Sequence, residues 1–182
     1  MAALIRALES ELWPCLAARR TAMPVVPDAA RASTLNLNSV HGGQEEGFTG
    51  LPSPCVPDSC RLIIDRRFLM EEDLASVKRE VHELLARLAR DRPGFRYAVR
   101  DLMEVHPVLT KPDMPVPQAV SRAIRSVLGR EAMFVCSPGT YDQKHIARIG
   151  HLRDCVAYGP GILDLAHQPD EFVVIDDLVA SA

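Results

Sequence analysis

A histidine followed by two carboxylates is the residue pattern near the end of this sequence that best suits metal chemistry. His167 lies in the run Ala-His-Gln-Pro-Asp-Glu that ends at Glu171, just after the glycine-containing stretch 158–161. An imidazole binds a metal through either ring nitrogen, and Asp170 or Glu171 could orient the ring or its loop. A lone histidine near a turn is more often a surface residue, and zinc needs about four donors. On spacing alone the surface interpretation is favoured and the metal hypothesis fails.

The other histidines and one pair of glutamates do not complete a ligand set by spacing. His145 and His151 are separated by the end of a predicted helix, and the remaining histidines fall in a different predicted domain. Glu45 and Glu46 follow His41 in a glycine-rich loop, where adjacent glutamates are usually solvated. We interpret this pair as solvent-exposed.

A second candidate site is the turn 137–142, which carries Gly139 and Thr140 between a predicted strand and a predicted helix. Backbone N–H groups and the Thr140 hydroxyl would point beyond the end of the strand, where open α/β sheets bind ligands. An ordinary glycine-containing turn with a helix cap is the alternative, and the pattern does not decide between them.

Two consecutive arginines close a predicted strand. Arg66 and Arg67 follow Asp65, and on an alternating strand the two guanidinium groups face opposite sides. One can therefore form a local salt bridge while the other binds a carboxylate through two parallel N–H donors. A structural or solvated role for both is the equally weighted alternative.

The elements that would position these residues differ between the two parts of the chain. In residues 1–106, the sequence pattern predicts helices packed on an antiparallel sheet that lacks its first strand. Pro14 should kink or split the first helix. The predicted order is helix 2–20, strands 34–40 and 60–68, helix 71–90 and strand 95–105.

A proline-rich linker, 107–117, leads into a second pattern at 118–182, in which strands alternate with helices as in a parallel α/β layer. Roughly 65 residues are too few for a doubly wound domain with its own covered sheet, so we interpret this part as the end of a larger domain. The predicted elements are helix 118–128, strand 132–136, helix 141–149, strand 155–158 and helix 172–180.

Composition limits the classes of function. The chain is 47% hydrophobic and 25% charged, with a net charge of -3 and a pI near 6.1, so nucleic acid and anionic membranes are not expected partners. The five cysteines form no Cys-x-x-Cys pair, which favours a reducing, cytoplasmic compartment over a disulfide framework.

Taken in order, five segments of this sequence resemble one family of zinc metallopeptidases and amidohydrolases, which includes acetylornithine deacetylase and succinyl-diaminopimelate desuccinylase. The resemblance implies an α/β fold with an α+β lid: an incomplete ferredoxin-like lid (antiparallel sheet with two helices), then the C-terminal part of an α/β catalytic domain. The segments are 34–43, 56–67, 110–112, 139–142 and 158–171.

The resemblance also implies removal of an acetyl or succinyl group from a small N-acyl amino acid. In the family two zinc ions, with cobalt as a possible substitute, hold a water that attacks the amide carbonyl. His167 matches the last metal ligand, Arg67 the arginine that contacts the substrate carboxylate, and Gly139 and Thr140 the substrate-binding turn.

This sequence also departs from the family. The other metal ligands and the catalytic glutamate have no counterpart, so no catalytic residue is assigned to this chain and it is expected to be inactive alone. Ser53-Pro54-Cys55 stands where the family often has an asparagine before the lid strand, which puts that contact in doubt. The resemblance implies a homodimer through the lid. The alternative interpretation is a non-catalytic dimerisation module or one half of a split enzyme.

Overall fold

The computed structural model describes residues 1–44, 47–51, 56–57 and 59–182; the predictions for Glu45, Glu46 and 53–55 lie outside these residues. The chain divides into two compact units. Met1–Thr21 with Ala32–Arg100 forms the first, and Ala22–Arg31 with Asp101–Ala182 forms the second. The domain limits expected from the sequence stay a prediction.

The first unit begins with a nearly continuous helix. It consists of α1 (Ala2–Ala7), a π-helical segment (Leu8–Leu12) and α2 (Trp13–Ala18). Pro14 occupies the first turn of α2, where a missing N–H and a bulky ring conflict with the preceding turn. The wider π-helical turn accommodates this conflict, so the helix continues through the proline instead of ending there.

Two strands form the sheet of this unit. β1 (Thr34–Gly42) pairs antiparallel with β2 (Cys60–Arg67), and the register shifts between Leu37 and Ser39. Both strands were expected from the sequence, the first from its alternation. The pairing sets Thr34 opposite Arg67, so the two arginines close β2 beside the start of β1.

One helix completes the first unit. α3 (Leu74–Asp91) begins after Asp73, whose carboxylate accepts the N–H of Ser76 at 2.9 Å and so caps the helix. The apolar faces of the helices and the strand residue Leu35 enclose one core. Its buried members are Ala7, Leu8, Leu12, Leu16, Leu35, Leu84 and Leu88.

The expected third strand, 95–105, does not form. These described residues pair with neither strand, and the segment begins with a turn in which Phe95 N–H donates to the Arg92 carbonyl. The rings of Phe95 and Tyr97 lie 6.1 Å apart. A strand needs a free sheet edge in register, which alternation along the sequence does not specify.

The second unit contains short helices joined by long irregular segments. α4 (Pro115–Leu128) starts at a residue that we expected to belong to an irregular linker. Pro115 and Pro117 are tolerated because the first N–H groups of a helix have no partner within it. The remaining elements are the 3-10 turns Asp28–Arg31 and Leu163–Leu165 and the helices α5 (Gln143–Arg148) and α6 (Ile175–Ser181).

The prediction of two parallel strands in this unit, 132–136 and 155–158, is also wrong, because neither segment forms a regular strand. In 132–136 Cys136 alone pairs, through a parallel bridge to Val25, while 155–158 forms no ladder. Short apolar runs predict burial, and they become strands only if neighbouring strands are present to pair with them.

Burial is divided unequally between the units. In the second unit Val25 and Pro117 are buried, and every other residue is half-buried or exposed. Large apolar side chains there face solvent, among them Met103 and Met133 at 80% exposure and Ile175 at 75%. Among the described residues no helix is both long and apolar enough to cross a membrane.

Candidate functional site

The two arginines at the end of β2 occupy different environments. The side chain of Arg66 is 8% exposed and its Nη2 donates to Glu72 Oε1 at 2.7 Å. The side chain of Arg67 is 53% exposed and its Nε donates to Asp65 Oδ2 at 3.2 Å. The Arg66 guanidinium also donates to the backbone carbonyl of Arg67. Arg67 therefore offers a solvent-accessible guanidinium on a backbone that its neighbour holds.

Glu72 connects the segments around these arginines. Its Oε1 accepts from Arg66 and from Arg19 Nη1, the latter at 2.9 Å, and its Oε2 accepts from the Ser33 hydroxyl and from Leu69 N–H. Arg19 reaches Glu80 Oε1 on α3 at 2.5 Å as well. One carboxylate thus joins the end of α2, the start of β1, the end of β2 and the turn before α3.

These contacts change the ionisation of the groups involved. Burial alone would raise the pKa of the Glu72 carboxyl, but the hydrogen bonds from Ser33, Leu69, Arg19 and Arg66 outweigh it and lower the pKa to about 2. Hydrogen bonds to Glu72 and Glu80 raise the pKa of the Arg19 guanidinium above its usual range. We did not anticipate this cluster, because its members are dispersed over 19–80 in the sequence.

The Gly139–Thr140 turn is exposed and internally ordered. The Gly139 N–H donates to Ser137 Oγ at 3.2 Å, and the hydroxyls of Ser137 and Tyr141 lie 3.0 Å apart. A Cβ added at Gly139 would lie 3.0 Å from the Tyr141 ring, so the close approach of this ring favours glycine. Thr140 itself is exposed to solvent.

His167 is exposed in a tightly turned loop. Its φ of 62° lies in the left-handed region, which costs a non-glycine residue about 1–2 kcal/mol. The His167 N–H donates to Glu171 Oε2 at 3.0 Å, so the carboxylate expected to orient the loop does contact its backbone. Gln168 N–H donates to Leu165 O at 3.0 Å, which adds a further turn. The imidazole is accessible, and its backbone conformation is imposed by the loop.

These residues do not form a metal centre on their own. Within the ranges that the structure describes, no group of three or more histidine, cysteine or acidic residues is placed to hold a metal ion. The hydrogen bond of His167 stays within its own loop. A zinc ion needs three or more protein ligands, so one exposed imidazole does not fit the complete site that the family resemblance implies.

The predicted site residues are distributed over both units. Arg67 belongs to the first unit, and Gly139, Thr140 and His167 belong to the second. Their roles in binding substrate or metal stay predictions.

Comparison with known proteins gives the family. The sequence model described as peptidase family M20/M25/M40 matches residues 12–182. A succinyl-diaminopimelate desuccinylase from Nitrosomonas europaea is 32% identical over 147 residues, covering 81% of this chain and 35% of the relative. An acetylornithine deacetylase from Myxococcus xanthus is 25% identical over 147 residues, with the same coverage of 81% and 35%. The chain thus spans about a third of the length of these curated relatives.

A solved structure supports the fold. A metallo-carboxypeptidase of the M20 family from Sulfolobus solfataricus superposes with a TM-score of 0.52 at 21% identity, covering 98% of this chain and 41% of that one. This likeness is consistent with a part of an α/β fold, although it does not test the details of the lid. The predicted family resemblance is confirmed: the chain belongs to the peptidase M20 family.

Proposed function

We propose that this chain provides the lid and the C-terminal catalytic segment of a zinc-dependent amidohydrolase that removes an acetyl or succinyl group from an N-acylated amino acid. The observation that carries the proposal is the family match over 12–182, which includes all four candidate site residues. The names of the relatives, a desuccinylase and a deacetylase, support the substrate class.

Each candidate residue has a role in this proposal. His167 is one zinc ligand, held by a loop whose backbone Glu171 fixes. Arg67, exposed at the end of β2, binds the substrate carboxylate through its guanidinium. Gly139 and Thr140 bind substrate at the turn before α5. Zinc, when bound, would polarise the scissile carbonyl and activate water, and its other ligands must come from outside the residues described here.

The chain alone is expected to be inactive and to bind zinc weakly, because one imidazole cannot hold the ion tightly. Zinc titration followed by NMR should shift the His167 ring resonances at high zinc concentrations. His167→Asn is the matched control, since asparagine tolerates the left-handed backbone and removes the imidazole. Tight binding of two zinc ions by the chain would contradict the proposal, as would a zinc response of equal size in the asparagine variant.

The activity itself is tested by supplying the rest of the family fold. The segment of the Nitrosomonas europaea relative that precedes its matched region can be fused to this chain or mixed with it. We expect release of succinate or acetate from the corresponding N-acyl amino acid, and loss of this release with His167→Asn. A stable complex that hydrolyses neither substrate would refute the proposal.

The alternative function is one half of a split enzyme or a dimerisation module, and a specific observation favours the split-enzyme form. The second unit has two buried residues and many exposed apolar ones, a surface of the kind that another protein segment covers. In the dimerisation form, the lid pairs two copies of the chain. Light scattering distinguishes the forms: a monomer at all concentrations would exclude the homodimer.

A further inference from the structure

A hydrogen-bonded cluster joins three separate segments of the second unit. The Thr110 hydroxyl lies 2.6 Å from the Cys155 carbonyl oxygen and 2.8 Å from that of Arg153. The Gln143 side-chain amide lies 2.6 Å from the same Cys155 oxygen and 3.0 Å from Thr110 Oγ1. Thr110, Gln143 and Cys155 are all half-buried, which protects these bonds from competition with water.

The hydrogen-bonding capacity of the two side chains matches this geometry. The Gln143 amide has two N–H donors, one for the Thr110 oxygen and one for the Cys155 carbonyl. The Thr110 hydroxyl accepts from Gln143 and donates its single proton to one of the two carbonyls. Replacing either residue by an apolar one of similar shape removes hydrogen bonds from this cluster: Thr110 contacts both carbonyls, and Gln143 contacts the Cys155 carbonyl and the Thr110 hydroxyl.

A third contact holds the same segment from its other side. The Asp154 carboxylate accepts the Val116 N–H at 3.1 Å, in the first turn of α4, where that N–H has no partner within the helix. The segment 153–155 is therefore fixed through two carbonyls and one side chain, although it belongs to no sheet.

The position of this cluster relates it to both candidate loops of the unit. Gln143 is the first residue of α5 and directly follows the 137–142 turn, while Cys155 directly precedes the stretch that leads to the His167 loop. The Gln143–Cys155 hydrogen bond is thus a direct connection between the segments that carry Thr140 and His167.

We propose that Thr110 and Gln143 are positioning residues, which hold the segment leading to the His167 loop at a fixed place relative to the Gly139–Thr140 turn. The functional meaning rests on the proposed function, in which the two loops bind metal and substrate. The hydrogen bonds fix residues 153–155, and the mechanical part of the proposal is that this anchor limits the motion of the 156–171 segment that follows it.

The test is backbone amide hydrogen exchange measured by NMR on the whole chain. Thr110→Val keeps the shape and removes the hydroxyl, and Gln143→Leu removes the amide. We expect each to accelerate exchange at Ala166, His167 and Gln168 roughly fivefold, the effect of losing about one hydrogen bond. Thr110→Ser, which retains the hydroxyl, should stay within about twofold of wild type.

Gln118→Leu is the matched control. The Gln118 amide also donates to a backbone carbonyl, but that carbonyl belongs to Pro112, at 2.9 Å, and not to the segment 153–155. Unchanged exchange at 166–168 in both Thr110→Val and Gln143→Leu would overturn the proposal. An equal acceleration in Gln118→Leu, or no rescue by Thr110→Ser, would overturn it too, because either result indicates a general loss of stability.

A separate measurement distinguishes failure of this proposal from failure of the proposed function. Zinc titration of the wild-type chain reports on His167 as a ligand, independently of the exchange rates. If exchange accelerates in the variants but the wild-type chain does not respond to zinc, the positioning role stands and the ligand role of His167 is refuted. If the wild-type chain responds to zinc but exchange is unchanged in the variants, the ligand role stands and the positioning role is refuted.

Discussion

The Glu72 carboxylate shows how one residue can organise the surroundings of a candidate binding residue. It is 12% exposed and accepts hydrogen bonds from two arginines, a serine and a backbone N–H. A buried carboxylate with this many donors is stable as an anion, whereas removal of one partner leaves a charge unsatisfied. Arg66, which Glu72 holds, contacts the backbone of Arg67.

The first prediction concerns the pH dependence of this residue. The Glu72 pKa is about 2 in the folded chain, below its ordinary value of 4.5. The ionised Glu72 carboxylate therefore contributes its full stabilisation above pH 4.5, and this stabilisation is lost as the pH falls toward 2. We expect Glu72→Gln to cost about 2–3 kcal/mol at pH 7 in urea unfolding, and the gap to wild type to narrow between about pH 5 and pH 2.

Glu83→Gln provides the control for this experiment. Glu83 is exposed on α3, and a solvated carboxylate contributes little, so its replacement should change stability by less than about 0.5 kcal/mol. If the cost of Glu72→Gln is the same at pH 3 as at pH 7, the carboxylate network is not the cause.

Residue types alone predicted part of this region. Alternation on β2 placed Arg66 and Arg67 on opposite sides, and the structure has one buried in a salt bridge and the other exposed. The partner, Glu72, falls within the predicted helix 71–90, and no local pattern connects it to Arg66. Its contacts with Arg19 and Ser33 depend on how distant segments pack, which local patterns do not encode.

At the scale of elements, the first residues of two helices differ from those predicted, although capping chemistry explains where both helices begin. α3 begins at Leu74, after its cap Asp73, whereas the predicted helix began at residue 71. α4 begins at Pro115, inside the segment that proline density had marked as irregular. Both outcomes follow from the same rule, since caps and prolines are tolerated where backbone N–H groups lack helical partners.

The second prediction tests the cap of α3. Asp73→Ala removes the acceptor for the Ser76 N–H and should lower the free energy of unfolding by about 1 kcal/mol. Asp73→Asn retains a side-chain oxygen in the same position and should cost about 0.5 kcal/mol or less. Urea unfolding measures both. An equal loss in the two variants would show that the charge near the helix N-terminus matters, and not the hydrogen bond.

Strands were the least predictable elements beyond the first pair. β1 and β2 were both predicted, and each supplies the pairing partner that the other needs. The segments 95–105, 132–136 and 155–158 have the composition of strands, but strand formation depends on a neighbouring edge. At 155–158 the preceding residues are held instead by Thr110, Gln143 and Val116, contacts that no sequence period predicts.

At the scale of the whole molecule, the two units differ in how far they satisfy their own apolar residues. The first has a core of leucines from both helical segments and β1. In the second, burial is limited to Val25 and Pro117. Low burial is what physical scaling gives a small unit, and the interpretation of 118–182 as the end of a larger domain stays a prediction.

The last prediction follows from this imbalance. Apolar side chains exposed together bind the dye ANS, so the chain should enhance ANS fluorescence mainly through its second unit. Met133→Ser and Ile175→Ser, at positions 80% and 75% exposed, should lower the fluorescence without lowering stability. Leu51→Ser, at a position in the first unit that is 90% exposed, should leave the signal nearly unchanged.

Addition of the preceding segment of a family relative should reduce the wild-type signal, because that segment would cover the same surface. Equal effects of all three substitutions, or a signal indifferent to the added segment, would show that this surface is not the one that a larger M20 domain buries.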